Sequence, residues 1–141
     1  MNTVENCVFC KKSAPDPTII RSSELMTSFV SRPWFRNGHC LVIPNRHIVT
    51  LAELEDTESA AILAEVGRLA VALDKGYGTG MMQKYQPLQD ENGIKVNHLH
   101  VHVFPRNESE TMLFPVPEPN TFDGFSLPSN TEVGELAQQL R

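Results

Sequence analysis

The run His98-Leu99-His100-Val101-His102-Val103-Phe104-Pro105-Arg106 constrains this chain more than any other segment. In an extended strand alternate side chains share a face, so the run predicts His98, His100 and His102 along one side of a sheet and Leu99, Val101 and Val103 buried on the other. Each two-residue step advances about 6.6–6.8 Å, so the outer imidazoles stand too far apart to share one task. Three separate roles along a substrate follow. Three of the five histidines of the chain lie here, which argues against a merely solvated stripe.

Two chemistries suit such a stripe. Histidines at i and i+2 can chelate a catalytic zinc, with a third protein ligand and water completing the site. Alternatively, a neutral imidazole attacks phosphorus and forms a labile nitrogen–phosphorus intermediate, which splits one difficult displacement into two easier ones. Histidine suits the second task at pH 7 when an acceptor, such as a backbone carbonyl, holds its other nitrogen.

The surroundings supply a frame. Thr18 to Arg21 and Leu25 to Ser31 predict a hairpin, and Arg32 to Gly38 reads as a loop from its Pro and Asn-Gly content. The strand His39 to Pro44 follows. Asp56 or Thr57 can cap a long helix whose Ile62, Leu63, Val66, Leu69, Ala70 and Leu73 recur at helical spacing, with Gly76 beyond Lys75 as its stop. Gly76 to Gly80 follows a helix instead of joining a strand to one, so it predicts a turn and not a phosphate loop. Met81 to Tyr85 predicts another strand, and Gln86 to Gly93 a loop. Phe114 to Pro119 suits a polyproline-like path across the body, and Asn130 can cap a short helix from Thr131 to Leu140. The fold class is α+β: an antiparallel sheet of about five strands, one long helix and a short C-terminal helix. A chain of 141 residues suits one domain spanning 1–141, with a core at 7–106 and an extension at 107–141.

Net charge −5 argues against a nucleic-acid polymer as partner, while small anionic ligands remain open. No stretch reaches the ~20 apolar residues of a membrane helix, and the first residues lack the regions of a signal peptide. A cytoplasmic protein is expected. Three cysteines make a poor disulfide framework. The pair Cys7 and Cys10 suits a metal knuckle better than a redox pair, because no strand precedes it; Cys40 reads as a core thiol.

Two segments resemble the histidine triad (HIT) nucleotide hydrolases and transferases: the run from His98 to Arg106, and Gly38-His39-Cys40-Leu41-Val42-Ile43-Pro44. The resemblance extends from Cys7 to Arg106. It implies a HIT-like fold, a homodimer, and hydrolysis or transfer at the α-phosphate of a dinucleoside polyphosphate or nucleoside phosphoramidate. By position, His100 resembles the family's nucleophile, His102 the histidine that contacts the phosphate, and His39 the helper at the end of the earlier strand. In members that carry structural zinc, the ligand set corresponds to Cys7, Cys10, His47 and His98. Ser31 falls where relatives place the Asp or Asn that grips the ribose, and Gln83 matches an amide near the leaving group. The phosphate-binding Gln and Ser/Thr before the triad are absent; Ile94 and Lys95 follow Gly93 instead, and Lys95 can offer a charge to the phosphate. Two further readings stay open, a catalytically weak nucleotide-binding regulator and a mononuclear zinc hydrolase.

Overall fold

In the computed structural model, residues 5–81, 97–107 and 126–141 are described in full, and 82, 83, 88, 89, 95 and 96 by their backbone. Three strands, β1 (Ile19–Ser22), β2 (Met26–Val30) and β3 (Cys40–Pro44), lead into a short 3-10 turn at Leu51–Glu53 and the helix α1 (Asp56–Leu73). Strand β4 (Thr79–Gln83), the short pair β5 (Leu88–Gln89) and β6 (Lys95–Val96), strand β7 (Val101–Pro105) and helix α2 (Asn130–Leu140) complete the order. The main sheet is antiparallel throughout, in the order β1-β2-β3-β7-β4, so the triad strand lies inside it. A small second sheet pairs β5 with β6.

Alternation sorts the side chains into two layers. Ile20, Val30, Cys40, Val42, Val101 and Val103 face the helices, where Ile62, Leu69 and Leu73 of α1 and Val133 and Ala137 of α2 close one core. Phe29, Leu41 and Ile43 face the other way and are covered by Cys7, Phe9 and Ile19. The expected extension is therefore not an appendage in its described part, because α2 buries Val133 and Ala137 completely in the main core. Arg141 ties its end down, donating from Nε and Nη2 to the carbonyl of Ile19. Phe114 to Pro119 lies outside the described residues.

Inside the helix-facing layer sits a fully buried carboxylate. Glu65 of α1 accepts from Arg21 Nη1 at 2.6 and 3.1 Å, from the Ser28 hydroxyl at 3.1 Å and from Arg68 Nε at 3.2 Å. Without such partners a buried carboxylate is expensive; with them it fixes how α1 sits over β1 and β2.

Several boundaries differ from the sequence reading for local reasons. Helix α1 stops at Leu73, because the Asp74 carboxylate accepts from the Gly76 and Gly78 N–H groups and folds the chain into a turn, with both glycines at positive φ. The cap of α2 is Ser129 and not Asn130: its hydroxyl accepts from the Glu132 N–H while Glu132 accepts from the Ser129 N–H, a reciprocal box that begins one residue earlier. Gly76 to Gly78 form a turn, as expected, while Thr79 and Gly80 already open β4, which starts two residues before the predicted Met81. Gly80 matters for a different reason, since a β-carbon there would stand 2.4 Å from the Phe104 ring.

Candidate active site and metal centre

The triad does not form one regular strand. Strand β7 begins only at Val101, so His98 and His100 precede it; the three histidines still share the face that Phe9 covers, with Val101 and Val103 on the other, and they divide between two neighbouring sites. Pairing runs Cys40↔Val103, Leu41↔His102 and Val42↔Val101. Continued, it would bring Leu99 opposite Pro44, which has no N–H to offer, and the ladder stops. The Leu99 N–H donates instead to the Ile48 carbonyl at 2.7 Å.

His98 turns to the N-terminal knuckle. Its Nε2–H donates to the Pro44 carbonyl at 2.8 Å, which leaves the lone pair on Nδ1. That nitrogen lies 3.5 Å from both Cys7 Sγ and Cys10 Sγ, and His47 Nδ1 lies 3.2 Å from Cys10 Sγ. The four ligand atoms all fall within 4.8 Å of one another. A zinc tetrahedron with two sulfur and two nitrogen ligands spaces them about 3.3–3.8 Å apart, so the donor set and its spacing fit zinc. Four protein ligands close such a site, leaving no open position for water. The pocket also keeps His98 neutral, as ligation requires. Burial pushes its pKa down to about 4, against the opposing pull of the Pro44 carbonyl, and nearby His47 and His100 add to the lowering. Arg46 fixes the turn that presents His47, by donating to Glu58 at 2.7 and 3.2 Å and to the Glu53 carbonyl at 2.8 Å.

His100 carries the opposite arrangement. Its Nδ1 lies 2.6 Å from the His98 carbonyl, which can only accept, so Nδ1 holds the proton and Nε2 the lone pair. Phe9, from between the two cysteines, sets its ring edge-on to His100 at 5.6 Å and to His98 at 6.0 Å. The knuckle thus packs directly on the central histidine. His102 stands 5.0 Å from His100 between ring centroids, and His39 Nε2 lies 2.8 Å from His102 Nδ1. His39, at the mouth of β3, is reached because positions 39, 41 and 43 share the face that carries His102.

The remaining candidates are placed differently. Ser31 is buried, and its hydroxyl donates to the Pro33 carbonyl at 2.7 Å. Gln83 pairs through its backbone with Val101, and Lys95 lies in β6; their side chains lie outside the described residues. Cys40 is a buried thiol donating to the Gly38 carbonyl, with burial first and then Glu65 pushing its pKa up to about 12. Sequence reasoning missed Phe9 and the Phe35 amide. The apolar residue inside the Cys-x-x-Cys knuckle could have signalled the first; no side-chain pattern signals the second.

A model of the HIT domain matches residues 12–109. The chain belongs to the HIT family. Among curated HIT proteins, adenosine 5'-monophosphoramidase hnt1 of Schizosaccharomyces pombe is 30% identical over 110 residues, 74% of this chain and 77% of that protein. Adenylylsulfatase HINT3 of Arabidopsis thaliana is 25% identical over 79% of this chain and 58% of its own length. The asymmetrical bis(5'-nucleosyl)-tetraphosphatase of S. pombe is 28% identical over 62% of this chain and 48% of that one. Among solved structures, a HIT-like protein from Bartonella henselae superposes with a TM-score of 0.70 at 20% identity, covering 99% and 97% of the two chains. A Zn-bound histidine triad family protein from Mycobacterium smegmatis has a TM-score of 0.63 at 26% identity, over 96% and 93%. The HIT architecture thus confirms the α+β expectation, and the chain is an enzyme of the HIT type. Among its described residues no helix is long and apolar enough to cross a membrane.

Proposed function

We propose that this HIT protein hydrolyses, or transfers, a nucleotidyl group at the α-phosphate of a dinucleoside polyphosphate or nucleoside phosphoramidate, with His100 as nucleophile. The carrying observation is the His100 Nδ1–H held on the His98 carbonyl at 2.6 Å, which leaves the nucleophilic lone pair on Nε2. In the first step an Nε2–phosphorus bond forms as the bond to the leaving group breaks and the leaving group takes up a proton. In the second, water attacks phosphorus, the Nε2–phosphorus bond breaks and the water's proton is released; a different acceptor makes the reaction a transfer. His102 steadies the phosphate charge, with His39 acting through it. Ser31 stands for the ribose contact, Gln83 for the leaving group, and Lys95 for the phosphate charge.

Zinc held by Cys7, Cys10, His47 and His98 is assigned a structural role: it pins the knuckle to the sheet beside the nucleophile. A closed ligand set gives a mononuclear zinc hydrolase no support. We assign the assembly as a homodimer. The β4 edge and an apolar cavity of about 260 Å³ lined by Leu51, Leu54, Ile62, Leu63, Met81 and Val101 offer it a surface, and three cysteines with no disulfide among them suit a reducing cytoplasm.

The test is a screen of adenosine 5'-phosphoramidate, diadenosine tetraphosphate and adenylyl sulfate with product analysis. Release of AMP from at least one is expected. Tight binding with no turnover of any would favour the regulatory reading, which the absent Gln and Ser/Thr donors motivate.

A further inference from the structure

One hydrogen-bond chain in this site has its direction fixed from outside the histidines. A backbone amide can only donate. The Phe35 N–H lies 2.8 Å from His39 Nδ1, so that nitrogen accepts and His39 carries its proton on Nε2. An imidazolium, with N–H at both nitrogens, has no acceptor for this amide. His39 Nε2 lies 2.8 Å from His102 Nδ1, so the His39 proton points at His102, whose own proton must be on Nε2. The two rings are stacked at 5.0 Å and 26°, with both histidines buried. His100, tied through Nδ1 to a carbonyl, has the opposite polarity. Two adjacent imidazoles therefore offer a lone pair and an N–H side by side.

We propose that the Phe35 backbone amide is a positioning group for the reaction: it sets the proton polarity of the His39–His102 pair, so that His102 presents an N–H to the phosphate beside the lone pair of His100. The consequence for rate rests on the hydrolase reading above; the tautomers do not. The amide is held from both sides. Trp34 exchanges two hydrogen bonds of 3.0 Å with Ser126, and Arg32 Nε donates to the Pro128 carbonyl at 3.0 Å. Beyond Phe35, Arg36 Nη1 donates to the Pro105 carbonyl at 3.1 Å and the His39 N–H to the Arg36 carbonyl at 3.0 Å. The segment leading into α2 thus braces the loop that orders the catalytic protons, which gives the C-terminal residues a positioning role in the site.

The zinc-loaded protein with 15N-labelled histidine tests this by NMR. His39 and His102 should show protonated Nε2 and unprotonated Nδ1, and His100 the reverse. Phe35→Ala keeps the amide and should keep both tautomers. Phe35→Pro removes this N–H, while its ring also fixes φ at position 35 and restricts Trp34 before it; it should convert the pair into a mixture of both polarities and lower kcat about three- to tenfold with KM within about twofold. If the proline variant does not fold, His39→Gln, whose side-chain amide still donates to His102, should hold the His102 tautomer, and His39→Leu should release it. A proton on Nδ1 of His102 in the parent protein overturns the proposal, as does an unchanged His102 tautomer in Phe35→Pro or His39→Leu. If no nucleotide is turned over, the hydrolase reading fails while the tautomer measurement still decides this one.

Discussion

Zinc should raise the melting temperature in proportion to the logarithm of its free concentration, and the structure sets the slope. The ligands come from three regions distant in sequence, Cys7 and Cys10 in the knuckle, His47 after β3 and His98 before β7. Little of that site survives in the unfolded chain, so metal binds mainly the native state. Each tenfold rise in free zinc above Kd then adds ~1.4 kcal/mol. At about 2.1 cal/mol/K of unfolding entropy per residue, 141 residues carry roughly 0.3 kcal/mol/K, so a decade of free zinc should move Tm by ~5 °C. At a hundredfold excess over Kd the total is ~2.7 kcal/mol, or ~9 °C. The knuckle carries Phe9 against Phe29, His98 and His100, so this stabilisation is shared with the nucleophile's wall. Calorimetry in chelator-buffered zinc measures the slope, and elemental analysis should find about one zinc per chain. Cys7→Ser and Cys10→Ser should flatten the slope. A parent protein whose Tm ignores free zinc, or serine variants with an undiminished slope, would refute the reasoning.

Other expectations follow from single sites. Glu65→Ala leaves the Ser28 hydroxyl only its longer 3.4 Å bond to the Arg21 carbonyl and opens a cavity under α1, while Arg21 is partly exposed and can be resolvated; urea unfolding should show a loss of ~2–4 kcal/mol, and a loss below about 0.5 kcal/mol counts against the network. Cys40, with its pKa pushed up to about 12, should resist alkylation at pH 8 in native protein stripped of metal, while Cys7 and Cys10 react. The sign for stability is equally set: the unfolded thiol ionises near its usual ~8.5 and the folded one does not, so Cys40 favours folding below that pH and loses its contribution as pH rises towards 12. Rapid labelling of Cys40 in the folded state would contradict both. Ser31 offers one neutral hydroxyl, already donating to Pro33, so kcat/KM for ribo and 2'-deoxy substrates should differ by less than about tenfold; a hundredfold preference assigns the sugar to another residue.

Alternation and helical spacing made most of the frame legible. The hairpin, the His39 strand and the long helix each follow from side-chain patterns that the core enforces, as Ile62, Leu69 and Leu73 against Val42 and Val103 illustrate. What alternation could not give is where the strand starts, after His98 and His100, because the ladder ends where its partner runs out of N–H groups, here at Pro44, and that depends on register. The two cysteines and the two triad segments named the site residues through resemblance, and the geometry brought Cys7, Cys10, His47 and His98 together. What stayed hidden was written in the backbone. The Phe35 amide, the His98 carbonyl and the Trp34–Ser126 pairing belong to main-chain groups that every residue carries. Glu65 was equally silent, since a carboxylate on a predicted helix reads as solvent-facing until Arg21 and Ser28 are seen to meet it.

The central claim is that His100 attacks phosphorus, and the most direct measurement is mass spectrometry of the protein quenched rapidly during turnover of diadenosine tetraphosphate or adenosine 5'-phosphoramidate. A nucleotidyl adduct on His100 is expected, more stable to alkali than to acid, and His100→Ala should abolish turnover while nucleotide binding persists. Turnover at full rate by His100→Ala, or an adduct confined to another residue, would contradict the account.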